Sequence, residues 1–143
     1  MAGLSKYLAL GLFNSTLNPV RESLVAPTTL YLALHSGAPS DATYGTEADY
    51  AGYARRALNS LTADVSAETV DGNVDIVVTN GSAVTFPAST GAAAQLITNW
   101  AIWDSAVRGD GNILYSGVLS SARLIGTGDS VVVPEGSLVI TIK

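Results

Sequence analysis

At 143 residues and 14.7 kDa, the chain has the size of one domain with its own core. It contains no cysteine, which excludes disulfides, thiolate zinc sites and thiol nucleophiles. The formal charge of −5 comes from 12 acidic and 7 basic residues, and only Arg55-Arg56 are adjacent among the basic ones, so no basic face for nucleic acid is expected.

Charged residues make up 13% of the chain and hydrophobic residues 48%. That balance fits a β-rich domain, and it also fits a protein that hides part of its surface in an assembly. No apolar run reaches about 18 residues, so no membrane span is expected.

The N-terminal stretch "MAGLSKYLALGLFNSTLN" has a single Lys and only a short apolar run. It lacks the cleavage pattern of a signal peptide and reads as a short amphipathic helix. Leu4, Tyr7, Leu8 and Phe13 fall near helical spacing, and Leu10 and Leu12 widen the face. Pro19 disfavours helix at Asn18 and ends the arm. A second helical turn is expected through "VRESLVA" before Pro27.

From Thr28 the period changes to that of a strand. In "TTLYLALHS", Leu30, Leu32 and Leu34 take one face, and Tyr31, Ala33 and His35 the other. "GAPSDATYGTEADYAG" reads as a long acidic surface loop, and "YARRALNSL" as a strand. Asp71-Gly72 and Asn80-Gly81 each suit a type I′ hairpin turn, with "ETV", "VDIVVT" and "AVTFP" as the flanking strands. "QLITNWAIWDS" and "NILYSGVL" make a further hairpin, turned at Arg108-Gly109-Asp110-Gly111. "SSARLIGTGDS" holds a short strand and a turn, and "SVVVPEGSLVITIK" closes the chain as two strands around Pro134-Glu135-Gly136.

About eight to ten short strands, turned every roughly 8–12 residues and without intervening helices, predict an all-β fold. The expected form is an antiparallel β-sandwich, jelly-roll or Ig-like, with a short N-terminal helical arm. The arm and linker span residues 1–27 and the sandwich residues 28–143.

Chemistry is hard to place on this chain. His35 is the only histidine, so a catalytic triad or His-rich metal site has little to build on, and a surface or loop-bonding role is expected for it. Asp41, Glu47 and Asp49 cluster in the acidic loop without the pattern of a calcium loop. Nothing in the carboxylate spacing sets up an acid–base pair. No G-x-S-x-G elbow and no phosphate-binding glycine loop is present. Arg108-Gly109-Asp110 matches an integrin ligand but is ordinary turn material. No catalytic residue, cofactor or metal ligand is expected. Trp100 and Ile102 share one strand face, and Ala101 and Trp103 the other. One Trp is expected in the core and the other, taken as Trp103, as an interface anchor.

"TTLYLALHSGAPSDATYGTE", "GYARRAL", "AVTFPAST", "NWAIWDS", "GNILYSGVL" and "GDSVVVPEGSLVITI" follow one another in an order that resembles a family of small virion structural proteins of tailed bacteriophages. Members are often labelled tail fibre proteins, and some are capsid decoration, or cement, proteins. The resemblance covers about Leu4 to Ile142 and implies a β-sandwich with an N-terminal arm and no enzyme activity. The expected function is a decoration protein on the outer surface of the head. It would brace major capsid subunits as a homotrimer, without contacting nucleic acid or membrane. The alternatives are a tail-associated or fibre-adaptor subunit and a carbohydrate-binding module for host attachment. The expected capsid or subunit interface is Leu4, Tyr7, Leu8, Leu12, Phe13 and Trp103.

Overall fold

The computed structural model describes residues 3–17, 26–39, 44–66 and 75–142. A two-residue strand, β1 (Gly3–Leu4), precedes the helix α1 (Lys6–Thr16). The strands that follow are β2 (Leu30–His35), β3 (Arg56–Leu58), β4 (Leu61–Ser66), β5 (Asp75–Asn80) and β6 (Val84–Thr85). Then come β7 (Gln95–Trp103), β8 (Ile113–Ile125), β9 (Val132–Val133) and β10 (Val139–Ile142). The expected all-β architecture with a short N-terminal helix is what the chain adopts.

Every recorded strand pair is antiparallel. The large sheet has the order β1-β8-β7-β2-β3, a smaller one β10-β5-β4, and a two-stranded ribbon joins β6 to β9. One face of the large sheet packs on the other two. Leu32, Leu34, Ile97, Trp100 and Ile102 meet Val84, Phe86, Leu138 and Ile140 in the main core. Ala33, Ala101, Trp103 and Ile113 form a second cluster on the opposite face. The alternation of a pleated strand puts these two sets on opposite sides.

The hairpin of β7 and β8 forms as expected, with Trp100 opposite Gly117, Ala101 opposite Ser116 and Ile102 opposite Tyr115. Its turn is closed by Asp104, which accepts from the Asn112 backbone N–H at 2.6 Å and from Asn112 Nδ2 at 3.0 Å. Gly109 and Gly111 take positive φ values of 80° and 81° there, where glycine carries no Cβ penalty.

The face of Trp100 and Ile102 is expected to meet that of Leu30, Leu32 and Leu34 across the sandwich, and the register corrects this. Leu32 lies directly opposite Ile102, and Leu34 opposite Trp100, within one sheet. Direct antiparallel partners share a face, so these residues form one wall of the core and do not meet across it. The pairing of β7 with β8 is irregular between Ile97 and Asn99. Ile97 pairs with Arg123 and Asn99 with Val118, so β8 carries the additional residues of this irregularity, and Ile97 lies in the main core.

Asn80-Gly81 is not a hairpin turn. β5 pairs with β4 and β10 rather than with β6, so the chain leaves the small sheet at this point. The Gly81 N–H donates to Ser60 O at 3.0 Å, and a Cβ on Gly81 would come within 2.4 Å of Ser60 Oγ. Glycine is needed here for close approach. β4 begins where the expected strand "YARRALNSL" ends, and Leu61, Ala63 and Val65 alternate along it. β8 runs through to Ile125 as one strand where two were expected. The turn at Asp71-Gly72, the strand "ETV" and most of "VRESLVA" lie outside the described residues.

Candidate functional site

The residues expected to carry an interface fall in two places. Leu4 sits in β1, opposite Tyr115 of β8. The Ser5 N–H then donates to Leu114 O at 2.9 Å, and Ser5 Oγ caps α1 by accepting from the Leu8 N–H at 3.2 Å. Leu8 packs against the chain's own core. The arm is thus tied to its own sandwich at its start, and Leu8 serves the fold.

The rest of α1 is oriented against the usual rule. Its half-buried positions are Leu8, Gly11, Asn14 and Ser15. Its exposed positions include Tyr7, Leu10, Leu12 and Phe13, the last 50% exposed, and the chain continues into Leu17 at 74%. At 3.6 residues per turn, Leu10, Phe13 and Leu17 recur at three- and four-residue spacing and line one outward stripe. A helix on a solitary soluble domain buries such a stripe. Here Asn14 and Ser15 are half-buried while Leu10, Leu12 and Phe13 are exposed.

A groove of mixed polarity borders the large sheet. It measures about 440 Å³ and runs between β8 and the β9–β10 segment, with Leu32, Leu34, Trp100 and Leu138 among its lining residues and Ser120, Ser121, Arg123 and Ser137 also in its lining. Val118, Val132 and Val139 line it too and are exposed. Sequence periodicity singled out none of the three, because each sits at a position set by sheet edges.

Trp103 is not a surface anchor. It is 2% exposed, and Trp100 is 8% exposed, so both tryptophans are structural. The reason is a polar cluster that covers the outer face of the large sheet. Arg55, expected on a strand, lies just before β3 and is buried. Its Nε and Nη2 donate to Glu47 Oε1 and Oε2, both at 2.8 Å, the two-pronged geometry in which guanidinium and carboxylate bind best. Its Nη1 donates to Ser105 O at 2.8 Å and Asp110 O at 2.9 Å. The guanidinium carbon stands 3.8 Å from the Trp103 ring centroid.

Tyr53 adds to the same cluster. Its hydroxyl donates to Glu47 Oε1 at 3.1 Å and accepts from the Leu34 N–H at 3.1 Å. Burial, with the Glu47 charge beside it, pushes this phenol well above its ordinary range. His35 is fully buried and stacks on Trp103, which corrects the expected surface role. Burial lowers its pKa from 6.5 to about 4, with Glu47 opposing and Arg55 reinforcing the shift.

This arrangement fastens loops to a sheet. Glu47 comes from the acidic loop, Arg55 from the approach to β3, and Ser105 and Asp110 from the β7–β8 turn. Of the Arg108-Gly109-Asp110 tripeptide, Arg108 Nη2 donates to Glu47 O at 3.3 Å and Asp110 Oδ2 accepts from Ser105 Oγ at 3.1 Å. Both charged ends are engaged in the turn. Asp49 accepts from Gln95 Nε2 at 2.7 Å. Among the described residues, no three His, Cys, Asp or Glu side chains come together as metal ligands. The signal for the cluster in the sequence was weak: one Arg beside another, and one Glu in a loop.

Loops interlocked over a sandwich, and exposed apolar residues along α1, are what the structure offers for a structural role. The chain belongs to the family described as podophage GP4 fiber I protein gp80, whose model matches residues 3–141, and so to the structural proteins of the phage virion. No curated protein matches the chain.

Proposed function

We propose that the protein is a non-catalytic subunit of a phage tail-fibre assembly, attached to its neighbour through the outward face of α1. The observation that carries this reading is the exposure of Leu10, Phe13 and Leu17 along α1, while Asn14 and Ser15 are half-buried. Exposed apolar stripes of this kind mark protein contacts. The family's description as a fibre protein favours a place in the fibre assembly. In this reading α1 presents the attachment face, and the sandwich, whose large sheet includes β1, is the body.

A second reading is a capsid decoration protein that braces major capsid subunits as a homotrimer on the outer surface of the head. One compact sandwich without internal repeats favours it, since a fibre shaft builds length from repeated units. The deciding experiment is quantitative mass spectrometry of purified particles, followed by a density map. A few to a few dozen copies, located at the tail, support the fibre reading. Hundreds of copies on the head overturn it in favour of decoration.

A further inference from the structure

The cluster over the outer face of the large sheet contains one group that cannot change its charge without disturbing its neighbours. Trp103 Nε1–H donates to His35 Nε2 at 3.4 Å, and the two rings stack with centroids 6.1 Å apart and planes 2° from parallel. An imidazole that accepts at Nε2 carries its one proton on Nδ1 and is neutral. That Nδ1 is buried with no hydrogen-bond partner.

The groups around the ring come from every side. His35 is bridged to Glu47 on one edge of β2 and pairs with Asn99 of β7 on the other. Glu47 and Arg55 act on it by charge. Both Glu47 oxygens are already engaged by Arg55, and one also by Tyr53. Tyr44 lies against Trp103 with ring centroids 5.4 Å apart. Arg108 and Asp110 reach the cluster only through Glu47 O and Arg55.

We propose that His35 is an acid-operated latch: when its ring takes a second proton, residues 44–47 and the 104–112 turn part from the large sheet while the sandwich beneath stays folded. The second proton must go to Nε2, where it faces the Trp103 N–H, so that two donors point at each other. It also adds a positive charge beside the Arg55 guanidinium, a repulsion that the Glu47 carboxylate offsets by charge while it stays bound to Arg55. The opening is local because the cover is built of loops fastened at Glu47 and Arg55, outside the main core. A cavity of about 340 Å³ already lies among Tyr44–Glu47, Trp103 and Arg108–Gly109. The main core does not include residues 44–47 or the turn.

The direction follows from linkage. The closed form holds the His35 pKa at about 4, below the 6.5 of a free ring. Opening therefore takes up a proton and is favoured as pH falls. The ratio of open to closed forms should rise by up to about 300-fold between roughly pH 6.5 and 4, then level off.

The test is a residue-resolved NMR titration of the whole protein from pH 7.5 to 3.5. Amides of residues 44–47 and 105–111 should change together with the His35 ring signal, while those of β5 and β10 hold. In His35→Gln, which keeps an acceptor for the Trp103 N–H, the local change should vanish. The latch is overturned if His35→Gln opens at the same pH, since another group would then be responsible. It is also overturned if all amides change together, or if the His35 ring titrates near 6.5 with the loop amides unmoved. The ring titration is read in the natural chain, so the test stands even if His35→Gln fails to fold.

Discussion

The indole of Trp100 lies over the bare backbone of Gly117, its direct cross-strand partner. A Cβ on residue 117 would come within 2.6 Å of Trp100 Cζ2 and 2.8 Å of Cε2. Gly117 has no left-handed backbone to preserve, so its role is room for the ring. Gly117→Ala should therefore destabilise the domain by roughly 1–3 kcal/mol, the range for overpacking. Urea unfolding of the two proteins measures it, and an unchanged midpoint would mean that the indole is free to move.

Trp100→Ala and Trp103→Ala should each cost roughly 3–5 kcal/mol, because both rings are buried. Trp100 belongs to the main core, whereas Trp103 also supports Arg55 and His35. Thermal melts of the isolated domain test this. A Trp103→Ala protein as stable as its parent would restore an interface role for that ring.

The ion pair under the turn responds differently to one cut and to two. Arg55→Met leaves Glu47 buried without its partner, and Glu47→Leu leaves Arg55 in the same position. Each single change should cost roughly 3–5 kcal/mol. Arg55→Met with Glu47→Leu removes both charges and should recover a good part of that loss. The cycle is measured by denaturant unfolding, and strict additivity of the two single effects would show that the pair does not act as a unit.

Asn80 holds two sheets together from one buried position. Its Nδ2 donates to Pro134 O at 2.8 Å and Ser82 O at 2.9 Å, and its Oδ1 accepts from the Leu138 N–H at 2.9 Å. Asn80→Ala strands three backbone groups and should cost roughly 2–3 kcal/mol. Hydrogen exchange at Leu138 should rise in step. Unaltered exchange there would show that water replaces the side chain without loss.

The sequence made the fold class readable because strand alternation in "TTLYLALHS" and the polar turn after Trp103 are local signals. Sheet membership was not local. Asn80-Gly81 has the residues of a hairpin turn, yet β5 finds β4 and β10 as its partners, and only the whole chain decides that. The candidate surfaces divide the same way. Helical spacing picked out Tyr7, Leu12 and Phe13, which are exposed, but also Leu8, which packs on the core. Periodicity finds an apolar stripe without saying which side meets the body. The Glu47–Arg55 pair was invisible for a related reason: the two residues stand eight apart in a loop region with no repeat to expose their contact.

The outward stripe of α1 separates stability from assembly. Leu10 and Phe13 are half exposed and Leu17 more so, so little of their surface supports the fold. Leu10→Gln with Phe13→Ser should shift the stability of the isolated domain by no more than about 0.5 kcal/mol, the usual range for exposed positions. The same pair should lower incorporation into particles, because it removes the apolar area that a neighbour would cover. By contrast, deleting residues 2–18 also removes the β1–β8 pairing and the Leu8 contact, and should weaken the domain itself. Complementing phage that lack the protein with the double variant, and weighing its copy number against the natural chain, decides the matter. Equal copy numbers would mean that α1 is not the attachment face.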